Sequence, residues 1–242
     1  MKTRTRLRAM ITSILVLGVV GAVVAIPAQA APPPAGYPTQ QIMTTANNAV
    51  LGGIPIRRGF WDSDAGQGFG MDKAWHYHNL PSLKAQRNVL LSSNRTLQAN
   101  GNWLLRAYAQ KIVCPSGGSC YVDDEREVWG IYNNKTYTTY FGWPVGGTLG
   151  LQTMYCQQGG VIKCPSWVVL GLNNISNAPL SRQAEAQAVP EASPTPSIEA
   201  GLTAEERQAQ VDFYASAEVQ ELLGQVESGE VILTASYEPT QK

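Results

Sequence analysis

Asn102-Trp103-Leu104-Leu105-Arg106-Ala107-Tyr108-Ala109-Gln110-Lys111-Ile112-Val113 is the stretch whose reading decides the fold class. Trp103, Leu105, Ala107 and Ala109 fall on one side and Arg106, Tyr108 and Gln110 on the other, the period-two spacing of a strand with one buried face. Downstream, Cys120 to Tyr132 reads as a second strand, with Trp129 and Ile131 on one face and Val128 on the other. Thr136 to Phe141 is β-prone, Gly142 to Gly147 reads as a turn, Thr148 to Cys156 as a further strand, and Pro165 to Leu172 closes the domain. Upstream the signals change. Met71 to His78 reads as a helical turn or two and Pro81 to Leu91 as a helix capped by Asn79 or Ser82, while Thr39 to Val50 reads as a short helix and Gly52 to Gly70 as a loop. The order predicts an α+β domain, N-terminal helices packed on an antiparallel β-meander.

The two ends of the chain differ from this middle. Lys2, Arg4, Arg6 and Arg8, an apolar run from Met10 to Val24, and Ala28-Gln29-Ala30 have the order of a secretory signal peptide over residues 1–30, and no later segment has the length and hydropathy of a membrane anchor. The expected product is a secreted, extracellular chain starting at Ala31. Residues 31–58 are expected to be a mobile, Pro-rich lead-in followed by the short helix, 59–180 the domain, and 181–201 a linker rich in Ala, Glu and Pro. Residues 202–242 are expected to form an acidic helical appendage. There Thr203 and Glu206 make a capping box, Val211, Tyr214, Ala215, Val219, Leu222 and Val226 make one apolar stripe, and Glu230 to Tyr237 is a candidate last strand. A formal net charge of zero conceals an asymmetry: residues 31–180 hold 11 Lys and Arg against 7 Asp and Glu, net +4, and residues 181–242 hold 3 against 11, net −8.

Cys114, Cys120, Cys156 and Cys164 are an even set in a chain expected to be exported, which reads as two disulfides with three possible pairings. Each sequential pair brackets turn-forming residues, Pro115 to Gly118 and Gln157 to Gly160, which favours local 114–120 and 156–164 bridges; cross-pairing would close longer loops and stabilise more. Zinc spacing is absent.

Both histidines of the chain, His76 and His78, lie beside Asp72, Lys73 and Tyr77, so an acid or base working near neutral pH is sought there first. On an α-helix Lys73, His76 and Tyr77 share one side and Trp75, His78 and Asn79 another. The bland alternative is one histidine packed between helix and sheet and one solvated. Asp62-x-Asp64 begins like a calcium loop, but Gln67 stands where its glycine belongs and Lys73 where its last acid belongs. No metal and no cofactor is expected. Phosphate-loop, dinucleotide and serine-elbow motifs are missing, and Asp123, Asp124, Glu125 and Glu127 read as a solvated, charged strand edge.

The segment Gly68-Phe69-Gly70-Met71-Asp72-Lys73-Ala74-Trp75-His76-Tyr77-His78-Asn79-Leu80, followed by Gly150 to Cys156 and Cys164 to Val168, resembles secreted polymorphic-toxin ribonucleases of the barnase, EndoU and colicin type over about Gly59 to Leu172. The resemblance implies metal-independent RNA cleavage. By position His78 would be acid or base, with His76 as the competing choice, Lys73 and Arg106 would steady the phosphate, and Thr153 with Tyr155 and Tyr77 would contact substrate. The departure from the pattern is that no second histidine arrives from a distant segment. Such a toxin implies RNA as substrate and an immunity or inhibitor protein as partner, and the acidic C-terminal helix is a candidate for masking the basic domain or for holding a protein partner. The alternative is a secreted, non-catalytic binding protein for a protein or carbohydrate, in which Trp61, Trp75, Trp103, Trp129, Trp143 and Trp167 divide between core and ligand contacts.

Overall fold

The computed structural model describes residues 31–157, 163–175 and 201–239. The signal peptide at 1–30 and all but the last residue of the linker at 181–201 lie outside them. The fold is mixed α+β around an antiparallel sheet, with disulfides Cys114–Cys120 and Cys156–Cys164, the local pairing.

In chain order the first elements are β1 (Ile42–Asn48) and β2 (Gly52–Arg57), an antiparallel hairpin. A helix over Thr39 to Val50 is therefore corrected to a strand. Thr44 and Thr45 suit extended backbone, and Asn48 turns the chain: its side chain accepts from Val50 and Leu51 N–H and donates to the carbonyls of Leu90 and Ser92. The expected glycine loop holds β2 and a second small hairpin, β3 (Phe60–Asp62) with β4 (Gln67–Phe69). Nor is the Pro-rich lead-in free. Tyr37 packs its ring on Phe60 and donates to Asp72, and Thr39 donates to the Pro144 carbonyl.

Helix α1 (Gly70–Asp72) runs into a π-helical turn over Lys73–Tyr77, and α2 (Leu83–Leu90) follows with Ser82 as its cap, accepting from Ala85 N–H. The central sheet is made by β5 (Arg95–Leu97), β6 (Trp103–Val113), β7 (Tyr121–Tyr140) and β8 (Trp143–Gln157) in that order. Its deciding strand is the one the alternation marks: Leu105, Ala107 and Ala109 are fully buried, while Arg106 and Tyr108 face the other way, half-buried. The turn expected over 142–147 is tighter. Tyr140 pairs with Trp143, so Phe141 and Gly142 alone make the loop, both left-handed, and β8 starts at once. Gly150 has φ +79, and a Cβ there would come within 1.9 Å of the Pro55 carbonyl oxygen, so β2 lies flush against β8.

Pro165 to Leu172 forms a helix, α3 (Ser166–Asn173), not a strand. Its Val168, Val169 and Leu172 join Leu83, Val89 and Leu90 of α2 in the core over the sheet face carrying Ala107, Ala109 and Gly130, where small residues let helix and sheet approach closely. The single C-terminal helix is corrected to two, α4 (Ala204–Ala215) and α5 (Ala217–Glu227). Ser216 leaves the helical region with ψ 146 and caps the second. The capping box of Thr203 and Glu206 is present. The apolar stripe is not continuous: Val211 is 53% exposed, and α4 docks through buried Glu206 and Gln210, whereas α5 buries Val219, Leu222 and Leu223. Strand β9 (Val231–Ser236) then pairs antiparallel with β6 along Tyr108 to Val113, on the same edge that β5 occupies at Trp103 to Leu105. The last part of the chain thus completes the central sheet. Among the described residues no helix is long and apolar enough to cross a membrane.

Candidate functional site

The outward face of the central sheet carries a row set by strand register. Arg106 on β6 lies opposite Trp129 on β7, which lies opposite Tyr155 on β8, and Thr96 on β5 accepts from the Arg106 guanidinium at 2.8 Å. Arg106 sits over the Trp129 ring at 5.8 Å, Trp129 meets Tyr155 at 5.9 Å between centroids, and Tyr155 meets His78 at 5.4 Å. The contacts continue past the sheet. His78 meets Tyr77 at 4.5 Å, Tyr77 stacks on Trp61 of β3 at 4.2 Å, and the Lys73 ammonium lies 5.6 Å over that indole. Five rings drawn from β3, the π-helical turn, β8 and β7 therefore form one strip with a cation at each end.

Local structure explains the alignment. The wider winding of the π-turn, with its i to i+5 bonds, places both Lys73 and Tyr77 on Trp61 and leaves His78 as the capping residue. His78 is pinned there: its carbonyl accepts from Cys164 N–H at 2.9 Å, and Asn79, left-handed at φ 59, donates its side-chain amide to the Cys164 carbonyl at 2.8 Å. The Cys156–Cys164 bridge joins that anchor to the end of β8, one residue past Tyr155.

Of the residues singled out from sequence, Lys73, Tyr77, His78, Tyr155 and Arg106 thus lie along one strip. Thr153 faces the same way two residues from Tyr155, opposite Ile131. His76 leaves the group: its ring is exposed and lies parallel to Trp75 at 5.4 Å, so the side shared with Lys73 on an ideal α-helix is not kept in a π-turn. Protein around the ring withdraws hydration and lowers the His76 pKa, with the Glu206 charge acting the other way. His78 is only 7% exposed, between Tyr77 and Tyr155. Partial burial lowers the Lys73 pKa and raises that of Tyr155. The charged edge is a set of ion pairs, two across the strands, Arg106 to Glu127 at 3.2 Å and Lys111 to Asp123 at 3.1 Å, and one within β7, Arg126 to Asp124.

Two polar atoms on this face have no hydrogen-bond partner among the described residues, Trp129 Nε1 and Thr153 Oγ1. The six tryptophans divide: Trp75, Trp143 and Trp167 are core, whereas Trp61, Trp103 and Trp129 are half-buried. Sequence reasoning did not single out Trp61 or Trp129 for the strip. The available signal was their placement, Trp61 between Phe60 and Asp62 and Trp129 on the polar side of its strand.

A second cluster was missed altogether. Arg58, 1% exposed, pairs with Glu206, donates to the Gly201 carbonyl at 2.5 Å and lies over the Tyr37 ring at 5.7 Å, while the Tyr37 hydroxyl donates to Asp72 Oδ2 at 2.5 Å. Burial pushes the Asp72 carboxyl up to about 7, and its Oδ1 has no partner among the described residues. This cluster clasps α4 to the N-terminal hairpins. No protein-family model, curated protein or solved structure matches the chain.

Proposed function

We propose that the protein is an exported, non-catalytic recognition module that binds a neutral, ring-bearing ligand, a carbohydrate chain, along the strip from Trp61 to Trp129. The observation carrying this reading is the unbroken contact series Trp61, Tyr77, His78, Tyr155, Trp129. Indole and phenol rings accept the C–H faces of sugars by dispersion and burial of apolar surface, and hydroxyls need donors and acceptors close beside those rings. The Arg106–Glu127 pair, beside Trp129, supplies both. Charge argues against a polyanion. Nucleic-acid grooves combine stacking rings with cations along the backbone path, whereas Arg106 is answered here by Glu127.

The ribonuclease reading keeps one observation in its favour, the alignment of Lys73, His78 and Arg106 on a single strip. Against it stands access. A general acid or base must come within about 3 Å of the proton it moves, and His78 is nearly closed off between two tyrosines.

The test is tryptophan-fluorescence titration of the mature protein with cellohexaose, chitohexaose and an oligouridine of similar length. One of the neutral hexasaccharides is expected to bind saturably, and Trp129→Ala to weaken it by about two- to tenfold, the loss of an aromatic contact worth about 0.5–1.5 kcal/mol. Oligouridine cleavage in EDTA, abolished by His78→Ala, would replace this reading with the nuclease.

A further inference from the structure

Ala31 follows the Ala28-Gln29-Ala30 motif, and its nitrogen already has a receptor in the fold. It donates to Asp62 Oδ2 at 2.6 Å, and its carbonyl accepts from Trp143 Nε1 at 3.0 Å. Neither partner is a casual surface group. Asp62 is 7% exposed, and its other oxygen is occupied by Asp64 and Ala65 N–H at 3.0 and 3.1 Å, which fixes the carboxylate at the β3–β4 turn. Trp143 is 2% exposed and belongs to the smaller core with Phe69, Val145 and Leu149. Between Ala31 and Tyr37 lie Pro32, Pro33 and Pro34, whose fixed φ limits the entropy lost on holding the terminus. Tyr37, on Phe60 and Asp72, anchors the far end.

We infer that Asp62 and Trp143 form a receptor for the α-amino group released at Ala31, so that removal of the signal peptide completes the fold. In the step, an endopeptidase specific for small residues adds water across the Ala30–Ala31 peptide bond. The C–N bond breaks, hydroxyl goes to the Ala30 carbonyl carbon, and the Ala31 nitrogen takes a proton from the water and a second from solvent. An amide donating one hydrogen bond becomes an ammonium facing a carboxylate, a shorter and stronger kind of bond. The same proximity holds the Asp62 carboxyl below its ordinary pKa, with the Ala31 N–H as the largest cause. The inference rests on the export reading and not on what the ring strip binds.

Four exported chains test it: the natural one, Asp62→Asn, one with a glycine inserted between Ala30 and Ala31, and the combination. Intact mass is expected to place the natural start at Ala31; a start elsewhere overturns the proposal. Asp62→Asn keeps an oxygen for the turn and loses the charge. Asp62→Asn and the insertion are each expected to lower Tm by several degrees, and the combination is expected to lower it little further than either alone. Additive losses would overturn the receptor. Should Asp62→Asn fail to fold, the natural chain alone suffices: acylation of its terminal amine at neutral pH is expected to run about tenfold slower in the native state than in urea, because the Asp62 carboxylate holds the amine as ammonium. Equal rates would overturn the proposal.

Discussion

Asp72→Asn should flatten the pH dependence of stability. Asp72 is 2% exposed, takes one hydrogen bond from Tyr37, leaves Oδ1 without a partner among the described residues and shares Arg58 with Glu206. Its carboxyl titrates at about 7 in the native state against 3.8 ordinarily, burial being the main cause. Between those values the native chain keeps a proton that the unfolded chain has released, so stability is full below pH 4 and falls as pH rises to about 7. About three units at 1.36 kcal/mol each set an upper bound of about 4 kcal/mol, and relaxation of the shared network lowers the expectation to about 2–4 kcal/mol. Other groups contribute slopes of their own. The lowered pKa of His76 makes stability rise with pH, for instance. The quantity to follow is therefore the stability of Asp72→Asn minus that of the natural chain, measured by urea unfolding from pH 4 to pH 8. It should increase by about 2–4 kcal/mol across that range. Parallel curves would refute the assignment of a buried, protonated carboxyl.

Glu206→Gln should cost about 3 kcal/mol in urea unfolding, since it leaves the Arg58 guanidinium, 1% exposed, without its counter-charge. Gly150→Ala should cost at least about 2 kcal/mol, because φ +79 strains any side chain and the Pro55 carbonyl blocks the Cβ; a neutral substitution would mean that β2 does not lie flush on β8. Replacing Cys156 and Cys164 together by serine opens a loop of sequence separation 8 and should lower stability by about 2.5 kcal/mol. In the same double variant Tyr155 fluorescence and any ligand affinity should change as well, since the bridge holds His78 against β8.

The central sheet was legible because one-sided burial writes itself as alternation, and β6 shows it over Leu105, Ala107 and Ala109. The Ser82 cap, the capping box at Thr203 and the β9 strand were legible for a similar reason: each is a local signal with a local cause. What failed was decided at longer range. Residues 42–48 have no helix-breaking feature, and pairing with β2 decides in favour of the extended backbone that Thr44 and Thr45 suit. Residues 166–173 hold an unbroken apolar run from Trp167 to Leu172 in 8 residues, ambiguous between buried strand and buried helix until packing against α2 chooses. The stripe through Val211 broke because the buried positions of α4 are a charge, Glu206, and an amide, Gln210, with Phe213 and Tyr214 packed on the core and Val211 left outside. Within the candidate site, Lys73, Tyr77, His78, Arg106, Thr153 and Tyr155 were named through the histidine cluster and the resemblance to ribonucleases. Their neighbours Trp61 and Trp129 were not, because the register that brings Trp129 opposite both Arg106 and Tyr155 is a property of three strands together.

The most direct test of the recognition account is the affinity of the mature protein for cellohexaose and chitohexaose at two ionic strengths. The account predicts that one of them binds with a Kd nearly unchanged between 20 mM and 500 mM salt, and that Tyr155→Ala removes the binding. Failure of both sugars, together with oligouridine binding that falls steeply as salt rises, would contradict it, because that slope is the mark of phosphate contacts.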